Sequence, residues 1–192
     1  MTDDEKFISI FSTSLLVVKS NKDLSPLLDE CFKEREVSAG RSATNRGGWQ
    51  SFDFDGKNIE PFVGESLQKA SQAWGICGIL QPSNYWYNIN KSQNYNLPHF
   101  HTRSILSGVL YLKCPVDSSS IIFKNPMGLL IASFIHPYTD FELTPQISPV
   151  YSYKPREGDL VIFPSWIEHA VDEGYYEGER ISLAFNSKVN SL

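Results

Sequence analysis

Two of the four histidines of this 192-residue chain lie one residue apart, at His99 and His101, in the segment "LPHFHTRSILSGVLYL". Pro98 cannot continue a helix and favours an extended residue before it. Residues i and i+2 of an extended segment point the same way, so both imidazoles would face one space while Phe100 turns away. Two neutral imidazole nitrogens suit Fe(II), Zn, Cu or Ni. Two surface histidines on a loop would have the same spacing, so the pair alone does not distinguish a metal site from two surface histidines.

A metal ion bound by this pair needs at least one more ligand, and His136 and His169 are the remaining histidines. His136 lies in "SFIHPYTDF", which is typical of an irregular loop, and we expect a surface or core residue there rather than a ligand. His169 follows the apolar run Leu160 to Phe163, which predicts a strand that ends at Pro164. A strand and a short turn would present His169 at a rim, where β-barrel metal sites often receive their last ligand.

A second pair of residues that could bind a ligand is Arg180 and Ser182, in the segment "RISLAFN". Both would face the same side of a strand. A guanidinium donates two parallel hydrogen bonds to a carboxylate, and the serine hydroxyl can add a third. A charged group inside a barrel is costly unless it is paired, so Arg180 implies an anionic partner. From these residues alone that partner is either a protein carboxylate or a ligand.

The sequence pattern changes near residue 76, and the elements that must position these residues are predicted after that point. From there the chain has short runs rich in Ile, Val, Tyr and Phe, separated by Pro and Gly, which predict strands without intervening helices. These runs are "CGILQPSNYWYNIN", "ILSGVLYLK", "SSIIFK", "DLVIFPS" and "RISLAFNS". Such a series favours an antiparallel sandwich or barrel.

The first part of the chain is different. "DLSPLLDECFKERE" and "PFVGESLQKASQAWG" have apolar residues at helical spacing, with Pro26 near one start and Gly75 at one end. "MTDDEKFISIFSTSLLVV" predicts a strand, and "SAGRSATNRGGW" a loop. We therefore expect a strand and helical part, residues 1–75, packed on a β core of residues 76–192 in one structural unit.

Composition narrows the function classes. The formal net charge of -5 argues against a broad nucleic-acid surface. Three separated cysteines without a C-x-x-C pair predict reduced thiols in a cytoplasm. The acidic start lacks the basic lead of a signal peptide, and its apolar stretch is too short and too broken by Ser and Thr to span a membrane.

In order, H-x-H, a distant His and R-x-S resemble the motifs of Fe(II)- and 2-oxoglutarate-dependent oxygenases, a superfamily with a double-stranded β-helix, or jelly-roll, fold. The pieces "LSGVLYL" and "FPSWIEHAVDEGYYEGERISLAFN" are similar to a branch found in bacteria and their viruses, and "NRGGWQSFDF" also looks like that branch. The resemblance runs from about residue 45 to the end. It implies a mostly β fold with N-terminal helices.

This resemblance also implies roles for particular residues. His99 and His169 match the metal histidines, and Arg180 with Ser182 matches the pair that binds the far carboxylate of 2-oxoglutarate. His101 stands where the wider superfamily has Asp or Glu, so it is either a third iron ligand or a contact to co-substrate or substrate. On the preceding strand, Tyr87 or Asn88 could donate to the near carboxylate; ordinary aromatic packing is the alternative.

The activity implied is hydroxylation of a C–H bond, in which 2-oxoglutarate and dioxygen give succinate and CO2. One rival is a cupin-like three-histidine dioxygenase that does not use 2-oxoglutarate. "GDLVIFPSWIEH" resembles a cupin motif, but Trp166 replaces its usual glycine, and Ile105 and Leu106 stand where its glutamate would be. The other rival is a jelly-roll binding or structural module without a metal.

The residues do not identify the primary substrate, which could be a peptide or a small molecule. The long segment 125–150 is expected to be a loop that forms part of the substrate wall or of a contact in a homodimer.

Overall fold

The computed structural model describes residues 12–135 and 144–189. Within these ranges the helices are α1 (Ser25–Val37), α2 (Glu60–Ala73) and α3 (Gly128–Ile135), with a 3-10 helix at Gly56–Ile59. The strands are β1 (Leu16–Lys19), β2 (Asn45–Arg46), β3 (Trp49–Gln50), β4 (Phe54–Asp55), β5 (Leu80–Asn90), β6 (Tyr95–His99), β7 (Leu106–Lys113), β8 (Ile121–Lys124), β9 (Val150–Tyr153), β10 (Asp159–Pro164), β11 (His169–Val171) and β12 (Arg180–Val189).

Two antiparallel sheets are built from the described strands. The larger sheet has the order β1-β10-β7-β12-β5-β3, with β4 also paired to β5. The smaller sheet has the order β2-β6-β11-β8-β9. From β5 to β8 and again from β9 to β12, successive strands alternate between the two sheets, whereas β8 and β9 are paired neighbours in the smaller sheet. This is the double-stranded β-helix that the motifs implied, and the predicted fold class is confirmed.

One hydrophobic cluster joins the helices to the outer face of the larger sheet. Leu27 and Cys31 of α1 and Val63 and Leu67 of α2 pack with alternate side chains of β5, such as Tyr85. Pro26 lies in the first turn of α1, where its missing N–H costs nothing. A second cluster, which includes Phe123, Phe163 and Tyr111, lies among β7, β8 and β10. The helices therefore support the larger sheet from behind, and its other face is left for the interior of the barrel.

Residues before 75 do more than cover the barrel, because β1, β3 and β4 join the larger sheet and β2 joins the smaller one. The predicted N-terminal strand corresponds to β1 at Leu16–Lys19, and residues 1–11 lie outside the described residues. The predicted loop at "SAGRSATNRGGW" contains the two-residue strands β2 and β3. The division at residue 75 stays a prediction.

The expectation of a loop across 125–150 is wrong for its first part, which forms α3. Leu, Ile, Ala and Phe fill this segment, and Leu and Ala favour a helix where no strand partner is present. His136 lies outside the described residues, so its expected role is not addressed. Among the described helices, none is long and apolar enough to cross a membrane.

Candidate active site

His99 and His169 face each other across two neighbouring strands. His99 ends β6 and His169 begins β11, and the two residues are direct partners in the antiparallel pairing. Their ring centroids lie 4.3 Å apart. His101 follows β6 by two residues, and its ring lies 5.0 Å from that of His99 and 5.2 Å from that of His169. One ligand atom from each of the three residues lies within 4.8 Å of the others.

Backbone carbonyls orient two of these rings. The Nδ1 atom of His99 lies 2.7 Å from the carbonyl oxygen of Leu97, and Nδ1 of His169 lies 3.1 Å from that of Ile167. A carbonyl oxygen only accepts, so in both rings Nδ1 carries the proton and donates it. The lone pair is therefore on Nε2, and a metal ligand oriented through its other ring nitrogen is the usual arrangement in proteins.

The surroundings keep the imidazoles neutral in the absence of a metal. Burial, with His99 nearby, lowers the pKa of His169 to about 3 and that of His101 to about 4. Burial also lowers the pKa of His99, against a smaller opposing effect of its hydrogen bond to Leu97. A metal ligand must be deprotonated, so this cluster is ready to bind a cation at neutral pH.

The donor set is three nitrogens. Among the described residues, no aspartate, glutamate or cysteine belongs to the cluster. Imidazole suits divalent iron, zinc, copper and nickel, so the chemistry of these donors fits an Fe(II) ion. The ring of Phe163 packs with its centroid 4.7 Å from that of the His169 ring. The three imidazoles thus form one candidate metal centre.

The metal centre opens onto a cavity of about 320 Å³ between the two sheets. Along β12 and β5, the register pairs Arg180 with Asn90 and Ser182 with Asn88. All four side chains line the cavity, together with the three histidines. The structure therefore brings the predicted metal and carboxylate-binding residues into one space.

Arg180 is an unusual residue in this cavity. It is 2% exposed, and no carboxylate of the described residues pairs with it. Its guanidinium lies 4.9 Å from the centre of the Tyr111 ring, and its Nε has no hydrogen-bond partner in the described part of the chain. An unpaired buried cation is costly, so the cavity is built to receive an anion at this end. Among the described residues, Arg180 does not form the alternative that the sequence allowed, a salt bridge to a protein carboxylate.

Two more polar atoms near Arg180 lack partners. The hydroxyl of Tyr111 and the Nδ2 amide nitrogen of Asn90 are buried, form no hydrogen bond with any described residue, and belong to side chains that line the cavity. Burial raises the pKa of Tyr111 to about 12, against a lowering effect of Arg180, so its hydroxyl remains a donor at neutral pH. Sequence reasoning missed both residues, although Tyr111 stands in the quoted "LSGVLYL" and Asn90 has the same parity along β5 as Asn88.

Tyr87 is not part of the cavity. It is fully buried in the cluster behind the larger sheet, where its ring packs 5.8 Å from Tyr85 and 6.4 Å from Phe54. The reason is strand alternation: odd residues of β5 point to the helices, whereas Asn84, Trp86, Asn88 and Asn90 point inward. The predicted contact of Tyr87 with a co-substrate is therefore wrong, and Asn88 is the residue of this strand in position for one.

The cavity mouth has a mixed lining. Trp86 lies 5.5 Å from the His101 ring, next to the metal centre. Arg41, Gln50 and Asp53 come from the segment before α2, and Arg41 forms an ion pair with Asp53. The arginine at the mouth is thus neutralised by a partner, in contrast to Arg180 at the closed end.

Comparison with known proteins identifies a family and a fold for this chain. Residues 84–186 match the family model described as "Putative 2OG-Fe(II) oxygenase". No curated protein sequence matches the chain. Among solved structures, a prolyl-4-hydroxylase from Pseudomonas putida is 16% identical, with a TM-score of 0.59, over 94% of this chain and 95% of that one.

Two further solved structures share the fold. A viral collagen prolyl hydroxylase from Paramecium bursaria Chlorella virus-1, in complex with 2-oxoglutarate, is 11% identical with a TM-score of 0.59, over 92% of this chain and 96% of that one. HygX from Streptomyces hygroscopicus, with nickel and 2-oxoglutarate bound, is 14% identical with a TM-score of 0.53, over 93% of this chain and 84% of that one. At such identities the likeness establishes the architecture alone.

Proposed function

Because the chain belongs to the 2OG-Fe(II) oxygenase family, we propose that His99, His101 and His169 hold its Fe(II) and that Arg180 binds the far carboxylate of its 2-oxoglutarate. The protein is an enzyme, an Fe(II)- and 2-oxoglutarate-dependent oxygenase. The observation that carries the assignment is a buried arginine that has no carboxylate partner within residues 12–135 and 144–189, in the same cavity as three converging imidazoles.

His101 is the third ligand in this proposal, although the motif of the wider superfamily has an acid there. Its ring is near enough to the other two to share an ion, and its low pKa keeps a lone pair available. Replacing a carboxylate by an imidazole leaves the metal with one more net positive charge. An anionic co-substrate that binds the metal compensates this charge, so we expect 2-oxoglutarate and iron to strengthen each other's binding.

The closed end of the cavity recognises the far carboxylate. Arg180 supplies two parallel N–H donors, and the hydroxyls of Ser182 and Tyr111 lie on the same wall, as adjacent partners of β12 and β7. These donors are fixed by the sheet before the ligand arrives, which lowers the entropic cost of binding. Asn88, beside Ser182 across the β12–β5 pair, is the proposed donor to the near carboxylate.

When bound, Fe(II) supplies the dioxygen chemistry through which 2-oxoglutarate gives succinate and CO2 and a substrate C–H bond is hydroxylated. The protein's own residues bind and orient the reactants and exclude water. Phe163 and Trp86 give the metal centre apolar walls on two sides. The family match favours this reaction over a cupin-like dioxygenase or a non-enzymatic module.

The primary substrate enters past Trp86 and the Arg41–Asp53 pair in this proposal, and a peptide or a small molecule fits a mouth with both apolar and charged groups.

A cytoplasmic location is proposed from the cysteines, since Cys31, Cys77 and Cys114 are free thiols. The net charge of -5 argues against a nucleic-acid substrate. A homodimer stays a prediction.

Arg180→Ala tests the co-substrate site. Calorimetric titration of the Fe(II)-loaded protein with 2-oxoglutarate, without oxygen, should give a binding free energy weaker by about 2–5 kcal/mol, while metal content stays near that of the wild type. Arg41→Ala is the matched control, because Arg41 also lines the cavity but has Asp53 as a partner. An Arg180→Ala protein that binds 2-oxoglutarate as tightly as the Arg41→Ala protein would refute the role given to Arg180.

A further inference from the structure

A buried chain of polar side chains lies next to the metal centre. The Ser107 hydroxyl oxygen is 2.8 Å from Oδ1 of Asn186 and 2.7 Å from the hydroxyl oxygen of Ser165. Because Oδ1 only accepts, Ser107 donates its proton to Asn186, and Ser165 must then donate to Ser107. Ser107 is 1% exposed, Asn186 is 8% exposed and Ser165 is fully buried. They belong to β7, β12 and the turn after β10.

That turn contacts two of the three histidines. The carbonyl oxygen of Ser165 accepts the backbone N–H of His101 at 2.9 Å, and the carbonyl oxygen of Ile167 accepts the Nδ1–H of His169 at 3.1 Å. The turn itself is closed by a hydrogen bond from Ile167 N–H to the Pro164 carbonyl, at 3.0 Å. Its position therefore sets both the backbone of His101 and the ring orientation of His169.

The larger sheet does not need these polar groups for its own hydrogen bonds. β7 pairs with β10 and β12 through its backbone, and the residues beside Ser107 are Leu106 and Gly108. Apolar groups of similar shape in place of a buried hydrogen-bonded set are often neutral for stability. A buried, directed chain that ends at the histidine-bearing turn is better explained by a need for fixed geometry there.

We propose that Ser107, Ser165 and Asn186 are positioning residues of the metal centre. They hold the turn at 164–167, which in turn holds His101 and His169 in the geometry that binds one ion. The proposal rests on the three-histidine ligand set. It assigns no contact between these polar groups and the metal, so their effect is transmitted through the turn.

The test uses Co(II), whose visible absorption reports the geometry of its ligands. Ser107→Ala and Ser165→Ala should each weaken Co(II) binding roughly 10–100-fold, the usual effect of removing a group that orients metal ligands. The visible spectrum of the Co(II)-loaded variants should also differ from that of the wild type. Either variant alone decides the matter if the other does not fold.

Ser187→Ala is the matched control. Ser187 is also buried, and its hydroxyl is hydrogen-bonded to the backbone of Leu106 at 3.1 and 2.8 Å, but among the described residues it makes no hydrogen bond to the turn at 164–167. This variant should lower the unfolding temperature to a similar extent as Ser107→Ala while leaving Co(II) affinity and spectrum unchanged. A purely structural role for Ser107 would make the two variants behave alike.

The double variant Ser107→Ala/Ser165→Ala adds an internal check. Either single change breaks the hydrogen bond between Ser107 and Ser165. The double variant should therefore bind Co(II) about as weakly as whichever single variant has the lower Co(II) affinity. Folded single variants with wild-type Co(II) affinity and spectrum would overturn the proposal and leave the ligand set standing. A wild-type protein that fails to bind Co(II) or Fe(II) at all would instead overturn the ligand set, and this inference with it.

Discussion

His99 and His169 are direct cross-strand partners of β6 and β11, and their imidazole centroids lie 4.3 Å apart. Strand pairing thus fixes two of the proposed metal ligands relative to each other, and a two-residue extension beyond β6 adds His101. A metal centre built on paired strands is more precise than one built on loops, because backbone hydrogen bonds define the positions of the ligands.

Loss of His169 should abolish metal retention. The residue is 6% exposed, has its Nδ1–H occupied by Ile167, and faces both other histidines. Two imidazoles without the third leave the ion with mostly water ligands, so purified His169→Ala protein should contain little iron after dialysis. Elemental analysis after Fe(II) reconstitution without oxygen is the measurement. Metal at wild-type occupancy would mean that the ligand set is wrong.

Tyr111→Phe should weaken 2-oxoglutarate binding roughly tenfold or more, because a hydrogen bond to a charged group contributes about 1.5–3 kcal/mol. Tyr87→Phe provides the comparison, since both tyrosines are fully buried and their hydroxyls have no hydrogen-bond partner among the described residues, but only Tyr111 lines the cavity. Titration with 2-oxoglutarate should separate the two variants. Equal affinity in both would remove Tyr111 from the co-substrate site.

Gly108 should tolerate no side chain. A Cβ built on Gly108 would overlap the ring of Phe185 on the neighbouring strand β12, which is fully buried and cannot swing away. Overpacking of this kind costs about 1–3 kcal/mol. Urea unfolding of Gly108→Ala should show that loss, and a second change, Phe185→Leu, should recover part of it. A Gly108→Ala protein as stable as the wild type would contradict this packing.

The metal-free protein should lose stability in mild acid. An unfolded histidine titrates near 6.5, whereas the folded pKa is about 3 for His169 and about 4 for His101. As pH falls below about 6.5, the unfolded state takes up protons that the folded state does not. The free energy of unfolding therefore decreases. It continues to decrease until the pH approaches the pKa values of the folded state. His169 alone contributes about 1.4 kcal/mol per pH unit in this window.

Urea unfolding of the metal-free protein at about pH 7 and about pH 5 measures this dependence. A His169→Asn variant should show a shallower loss of stability, because one titrating group has been removed. Wild-type stability that is constant or increases over this interval would contradict neutral, buried imidazoles.

Much of the site was predictable from residue types and order. The family and the fold class are confirmed, and so are the strands that begin near Leu80, Leu106 and Arg180. Their short β-branched and aromatic runs between Pro and Gly are local signals. The i, i+2 spacing of Arg180 and Ser182 predicted correctly that they share one face, because strand alternation is local too.

What the sequence did not reveal depends on contacts between distant segments. The choice between Tyr87 and Asn88 needs the face of β5 that points inward, and either face could have been the inner one, since both carry side chains able to hydrogen-bond. Tyr111 and Asn90 became candidates only because their polar atoms have no hydrogen-bond partner in the part of the fold that the structure describes. The Ser107–Ser165 hydrogen bond joins residues 58 positions apart, which no local pattern predicts.

The most direct test of the central claim is a crystal structure of the protein grown without oxygen, with Fe(II) and 2-oxoglutarate. The account predicts one iron ion bound by Nε2 of His99 and His169 and by a ring nitrogen of His101, with the far carboxylate of 2-oxoglutarate on Arg180. Iron bound by fewer than three of these imidazoles, or a co-substrate that makes no contact with Arg180, would contradict it.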